Sequence, residues 1–187
     1  MRRCGMADVH VSPAGLVTVR KPYSDRRVQR SLQRILRETA LCAMSTIGPG
    51  NRAHINTAYF CCSRDLELFF LSDPGSLHSQ NVLRNPSMAM AVFRSEQPWD
   101  EPGRGAQLFG RCAQARGRKT REAEALYGTR FPAYGRHLRG RREEDRRMAK
   151  GLRAYRFYRF VPRTVKILDE AEFGSAVFVV ADVPRRR

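Results

Sequence analysis

The hydrophobic positions of this chain change their period near residue 40. Before it, Val28, Leu32, Ile35 and Leu36 recur at helical spacing. Ser24 is a suitable N-cap, so a helix is predicted with one buried stripe and an arginine-rich outer face. After it the period is two. Residues 41–47 and 53–62 read as strands joined by the turn Gly48-Pro-Gly-Asn, Ser63-Arg-Asp turns the chain again, and 66–71 returns. That is a three-stranded antiparallel meander with short connections. Pro74-Gly75 then leads into a short helix over 75–84, Asn85-Pro86 stops it, and 87–93 is a further strand.

A polar loop over 95–104, rich in Pro and Gly, precedes a long strand over 105–115 with a bend expected at Gly110. Residues 120–127 and 141–150 read as helical. The aromatic-rich run 152–161 alternates in part, Pro162 interrupts it, and 164–168 is a short strand, while 176–181 is expected at a sheet edge. Residues 1–22 read as an N-terminal tail with a small hairpin around Ser12-Pro-Ala-Gly, and 184–187 as a basic tail. No linker divides 23–183, which is therefore expected to be a single domain. Six or more strands in short hairpins with few helices predict a mainly β fold, an antiparallel barrel with flanking helices. Closing the sheet removes the exposed edges of so many apolar strands.

Composition changes this picture little. The 187 residues carry a net charge of +17, from 35 basic and 18 acidic side chains. Such a charge would ordinarily point to nucleic acid. Only four of the basic residues are lysines, however, and the arginines are spread along the chain. Their denser runs, 136–147 and 185–187, have the character of solvated faces and tails. Nucleic-acid binding is therefore disfavoured. No apolar run approaches the ~20 residues of a membrane span. The N-terminus lacks the apolar core of a signal peptide, so a cytoplasmic protein is expected. The five cysteines (Cys4, Cys42, Cys61, Cys62 and Cys112) are odd in number and show no C-x-x-C spacing. That argues against a disulfide framework or a zinc site and for reduced thiols.

Candidate chemistry gathers where the strand ending at Ser72 feeds a helix carrying His78, Ser79 and Asn81. A helix start offers free backbone N–H groups and the positive end of a dipole, which suit an anion, phosphate above all. A plain strand–helix connection with no ligand is the alternative. His54 and Asn56 share one face of their strand. No catalytic-triad order, nucleophile elbow, P-loop or dinucleotide fingerprint occurs, and no residue stands out as a general base. That fits a protein whose cofactor does the chemistry, and equally one that is not an enzyme.

In order and spacing, several segments resemble the pyridoxamine 5′-phosphate oxidase-like family, the FMN-binding split β-barrels. They are Ala43-Met-Ser-Thr-Ile, the Gly-Pro-Gly-Asn turn, His54-Ile-Asn-Thr-Ala-Tyr-Phe, Leu68-Phe-Phe-Leu-Ser, the run from Ser76 to Val92, Gln107-Leu-Phe-Gly-Arg and the run from Tyr158 to Asp169. The likeness extends from about residue 28 to about 175. It implies a homodimer with flavin in a groove at the interface. Arg52, His54, Ile55, Asn56 and Thr57 would lie along the flavin ring. Phe70, Leu71, Ser72, His78, Ser79 and Asn81 would surround its phosphate, and Gln107 would reach it from the long strand.

Two departures stand out. Leu77-His78 occupies the place where many relatives carry a lysine or arginine, so Arg52, Arg84 or an arginine of the other subunit would have to compensate. The paired basic residues that hold pyridoxal phosphate are also missing, which argues against vitamin B6 oxidation. The resemblance thus implies an FMN-dependent oxidoreductase acting on a small molecule that the sequence does not name. The alternatives are a deazaflavin-dependent reductase, or a non-catalytic flavin- or haem-binding protein of the same fold. His54, His78 and His137 are the histidines available to a haem.

Overall fold

β-branched and aromatic alternation builds most of this chain into strands. The computed structural model describes residues 8–184; Cys4 and the basic run 185–187 lie outside the described residues. Nine strands are present: β1 (Val9–Val11), β2 (Val17–Arg20), β3 (Leu41–Ile47), β4 (Ala53–Cys62), β5 (Leu68–Ser72), β6 (Ser87–Phe93), β7 (Arg104–Gln114), β8 (Arg156–Asp169) and β9 (Val177–Asp182). The helices are α1 (Arg26–Glu38), α2 (Leu77–Arg84), α3 (Arg118–Arg130), α4 (Pro132–Arg139), α5 (Glu143–Ala154) and the single turn α6 (Glu170–Phe173). The strands pair in the order β1-β2-β9-β8-β5-β4-β3-β6-β7, and β7 also pairs with β8. The strands from β3 to β8 thereby form a cycle of pairings. The fold is mainly β, an antiparallel split barrel with extra strands and flanking helices, as the alternation predicts.

The residues group into two compact units. The first takes residues up to 39, 90–109 and those from 163 onward. In it α1 buries Val28, Leu32, Ile35 and Leu36 almost completely, and Asp25 rather than Ser24 caps it, accepting from the Arg27 N–H at 2.8 Å. β1 and β2 form the expected hairpin, and β2 runs parallel to β9 with Val17 beside Val177. The wholly buried Asp169 ends β8. Its carboxylate accepts from Ser31 Oγ and from Arg34 Nη2, each at 2.6 Å, and from Arg104 Nε at 3.3 Å. A buried carboxylate needs such partners to remain charged.

The second unit takes residues 40–89 and 110–162. The meander β3–β4–β5 is antiparallel throughout, with Ala43 opposite Thr57 and Phe60 opposite Phe70. β5 continues it against β8, placing Phe70 opposite Tyr158 with the two rings stacked 5.4 Å apart. Phe60, Phe69, Phe160 and Leu68 complete a fully buried core. Glu67, nearly buried beside it, binds Lys119 Nζ at 2.6 Å and also the Arg159 guanidinium.

Three expectations are corrected. β8 is one strand from Arg156 to Asp169 and does not break at Pro162. Gly110 of β7 passes so close there that a Cβ on it would overlap the Val161 carbonyl oxygen and stand 2.8 Å from the Pro162 Cα. A proline, lacking the N–H, is tolerated where the ladder is bent in this way. Residues 152–154 belong to α5, and α4, interrupted in sequence by Gly135, was not legible as a helix. Finally, β9 is not an edge strand: it pairs β8 on one side and β2 on the other, and β1 takes the edge.

Burial pushes the Asp169 carboxyl up, but the hydrogen bonds from Ser31 and Arg34 and the neighbouring guanidinium charges outweigh it and hold the group below the usual carboxylate range. A carboxyl whose folded value is depressed stabilises the fold above its unfolded value of about 3.9, and that contribution fades as pH falls through the folded value. Asp169→Asn is expected to cost about 2–4 kcal/mol in a urea unfolding titration at pH 7, discounted for the partly exposed arginines. It should also flatten the loss of stability below about pH 4. An acid limb as steep as in the unsubstituted protein would contradict this. Gly110→Ala, measured in the same way, is expected to lower stability by about 3 kcal/mol or more, the upper end for overpacking.

Candidate functional site

The site lies in the second unit and begins with alternation along β4. His54 and Asn56 are half-buried on one face, while Ile55, 71% exposed, and Thr57 point to the other. The Gly48-Pro-Gly-Asn turn enters β4 as a tight 3₁₀ turn at Pro49–Asn51, in which Gly50 takes a left-handed φ of 68°. That conformation is open to glycine at little cost. Asn81, fully buried on α2, donates from Nδ2 to Thr46 Oγ1 at 3.1 Å, which leaves its Oδ1 buried without a partner. Gly48, Pro49, Gly50, Arg52, His54, Leu77 and Asn81 enclose an open groove of about 530 Å³.

Beside this groove α2 begins in an unusual way. Asp73 starts a turn in which its side chain accepts from the Gly75 N–H at 2.7 Å and its carbonyl accepts from the Ser76 N–H at 3.1 Å. Ser76 stands in the N-cap position yet makes no cap hydrogen bond. Its hydroxyl donates instead to the Asp73 carbonyl at 2.7 Å. The Gln80 N–H closes the first turn onto the Ser76 carbonyl, while the N–H groups of Leu77, His78 and Ser79 have no partner among the described residues. Ser79 is wholly buried, so its N–H is out of reach of bulk water. Three orphan donors and the helix dipole therefore meet at one point.

His78 sits at the centre of the polar cluster. Its Nε2 lies 2.6 Å from Ser72 Oγ and 3.1 Å from Ser76 Oγ, and Ser76 Oγ is 2.9 Å from Ser79 Oγ. The ring lies parallel to that of His54 at 6.3 Å and tilts against Phe70 at 6.4 Å. Burial, and then the neighbouring His54, push the His78 imidazole below its usual range, with Asp73 opposing them. A neutral imidazole orients hydroxyls but adds no charge for an anion. Arg52, which is exposed, stands at the groove.

The structure brings Arg52, His54 and Asn81 to the groove and Ser72, His78 and Ser79 to the adjoining cluster. Asn56 shares the His54 face, with its Oδ1 buried and unpartnered. Phe70 belongs to the core. Ile55 and Thr57 face away on the exposed side of β4. Leu71 lines a different cavity, and Gln107 is exposed in the first unit. His137 is paired with Asp145 at 2.9 Å. The sequence reading did not name Gly48, Pro49, Gly50, Leu77 or Ser76 as site residues. The glycine-rich turn was the signal available for the first three. Among the described residues, no three metal-ligating side chains cluster, and no helix is long and apolar enough to cross a membrane.

The sequence pattern described as pyridoxamine 5′-phosphate oxidase matches residues 28–167. No curated protein sequence matches the chain. Among solved structures, a conserved hypothetical protein of Mycobacterium tuberculosis superposes with a TM-score of 0.61 at 14% identity, covering 85% of this chain and 90% of its own. A Clostridium acetobutylicum protein related to a general stress protein of the pyridoxinephosphate oxidase family gives 0.60 at 8% identity, covering 85% and 96%. HutZ, the heme storage protein of Vibrio cholerae, gives 0.55 at 14% identity, covering 72% and 89%. Identities this low show a shared fold and nothing finer.

The depressed His78 value has a direct readout. Its ring resonances are expected to titrate with a midpoint below the ordinary imidazole value of about 6.5, and His54→Ala should raise that midpoint by removing one of the two causes. A midpoint at or above the ordinary value in the unsubstituted protein would contradict the neutral, serine-bound imidazole.

Proposed function

The chain belongs to the pyridoxamine 5′-phosphate oxidase family, and within it we propose an FMN-binding oxidoreductase that acts on a small molecule. The observation that carries this reading is the uncapped start of α2, where Leu77 lines the groove with Arg52 and the N–H groups of Leu77 and His78 have no partner among the described residues. These donors fit a phosphate monoester. Arg52 supplies the charge that Leu77-His78 does not, and its guanidinium suits a planar, bidentate contact. The buried, unpartnered Asn56 Oδ1 and Asn81 Oδ1 are acceptors for the N–H groups of a flavin ring or its side-chain hydroxyls. The groove volume lies within the range of small-molecule sites.

A bound flavin supplies two-electron redox chemistry. The start of α2 and Arg52 would hold its phosphate, and His54 and Asn56 would lie along its ring. The buried Ser72–His78–Ser79 cluster fixes the helix start. A homodimer is part of this reading, and its support lies on the face of β4 opposite His54 and Asn56. Leu41, Ile55 and Tyr59, all on one face of the β3–β4 pair, are 46%, 71% and 54% exposed. An apolar patch of this kind marks an association surface. A cytoplasmic setting is supported by the buried free thiols, which burial pushes up to about 12 at Cys42, Cys61 and Cys112, making them inert structural groups. The same anion site would also accept a deazaflavin coenzyme.

Haem is the second reading, favoured by the likeness to the heme storage protein HutZ. Among the three histidines considered, His78 is engaged by two serines and His137 by Asp145. That leaves His54 as the imidazole available for axial ligation.

The freshly purified protein is expected to show the two-band absorption of a flavin, or to acquire it on addition of FMN and keep it through desalting. Arg52→Ala should weaken FMN binding by about 10–100-fold, in line with loss of a charged hydrogen bond, while leaving the melting temperature unchanged. A blank spectrum with no FMN retained would overturn the reading, and a Soret band lost in His54→Ala would replace it with haem. Ile55→Asp is expected to shift the protein from dimer to monomer in sedimentation analysis. A protein that is monomeric before substitution would contradict the dimer.

A further inference from the structure

A second cavity, larger than the groove, lies apart from it. It lies elsewhere in the second unit, where α3, α4 and α5 pack against β5, the end of β7 and the start of β8, and it measures about 640 Å³. Leu71, Leu138 and Leu152 line it, together with the rings of Tyr134 and Phe157, which meet edge to face at 6.1 Å. The apolar part of the wall is therefore substantial and rigidly packed.

Its charged lining is strongly one-sided. Arg116, Arg153 and Arg156 stand at it against the single carboxylate of Glu124. Arg116 has no ion-pair or hydrogen-bond partner for its guanidinium among the described residues. Arg153 makes one long contact, 3.5 Å to the Leu138 carbonyl. Arg156 uses a single nitrogen, Nη1, to cap the carbonyls of Arg153, Ala154 and Tyr155 at 2.8–3.0 Å. That cap fixes its guanidinium at the cavity while leaving its other nitrogens uncommitted. Lys119 and Arg159 of the same unit, by contrast, are both paired with Glu67. All three are exposed and solvated in the free protein, and an anion seated in the hollow would face three guanidinium groups that no carboxylate pairs among the described residues.

We propose that this cavity is a second ligand site, separate from the groove, which takes a small amphipathic anion: an aromatic or acyl carboxylate whose apolar body lies against Tyr134, Phe157 and Leu138 and whose carboxylate meets Arg116 and Arg153. The volume matches a drug-sized ligand, and the paired planar donors of arginine match a carboxylate. The uncapped start of α3 at Gly117, also at this cavity, adds a dipole of the same sign.

The test uses 8-anilinonaphthalene-1-sulfonate, an aromatic anion whose fluorescence rises in apolar surroundings, with decanoate as competitor. The full chain is expected to bind the probe saturably, decanoate to displace it, and saturating FMN to leave it in place. Arg116→Ala combined with Arg153→Ala should weaken the probe by about tenfold or more with an unchanged circular-dichroism melt. Leu138→Trp, which fills the hollow while keeping the arginines, should abolish binding. The neutral N-phenyl-1-naphthylamine should not respond to the arginine substitutions. Saturable binding that survives both the double substitution and Leu138→Trp would overturn the site. Displacement of the probe by FMN, or no saturable signal at all, would overturn it as well.

Discussion

Three backbone N–H groups at the start of α2 have no partner among the described residues, and the candidate site is organised around them. Helix starts always carry orphan donors, and the usual remedy is a serine hydroxyl turned back onto the helix. Ser76 is the right residue in the right place, but the Asp73 turn draws its hydroxyl to a carbonyl outside the helix. The consequence runs outward. Ser76 Oγ is left to face His78, Ser72 closes on the same imidazole from the end of β5, and Ser79 packs beneath them without exposure. Asn81, one turn further along, is held to Thr46 of β3 and so ties the helix to the meander. A helix start fixed this firmly keeps its donors aimed in one direction, and pre-organisation of that kind is what makes an anion site effective.

The charge of the chain acquires a local meaning in this light. Most of the arginines are exposed, so much of the +17 charge lies at the surface, but not all of it. Some of it is spent inside: Arg34 and Arg104 hold the buried Asp169, and Lys119 and Arg159 hold Glu67. These pairs explain why carboxylates lie in the core of so basic a protein. Other arginines line concave surfaces. Arg52 stands at the groove, and Arg116, Arg153 and Arg156 stand at the cavity under the helices. The aromatics of β8, Phe157, Tyr158 and Phe160, are buried in the core.

Much of the architecture was legible from period alone. The stripe from Val28 to Leu36 and the meander β3–β5 depend on local pattern and short turns, and the structure shows both. β8 was misread because Pro162 is a breaker by its own chemistry, and only the close passage of Gly110 from a distant strand shows why a proline belongs there. β9 looked like an edge because a short apolar run carries no sign of how many neighbours it has. In the site, alternation placed His54 and Asn56 together, and the strand-to-helix turn marked Ser72, His78, Ser79 and Asn81. What sequence could not show was direction: the diverted hydroxyl of Ser76, or Leu71 turning away from Ser72 to line another cavity. That cavity draws on residues from 71 to 157, brought together by tertiary packing alone.

The central claim is that the uncapped start of α2, with Arg52, is a phosphate site within a flavin groove. Its most direct measurement is the affinity of the purified apoprotein for FMN against riboflavin, which differ only in the phosphate, by quenching of flavin fluorescence. The account predicts that FMN binds more tightly by about 100-fold or more, as expected for several charge-assisted hydrogen bonds, and that Arg52→Ala erodes this preference. Equal affinity for the two flavins, or no binding of either, would contradict it.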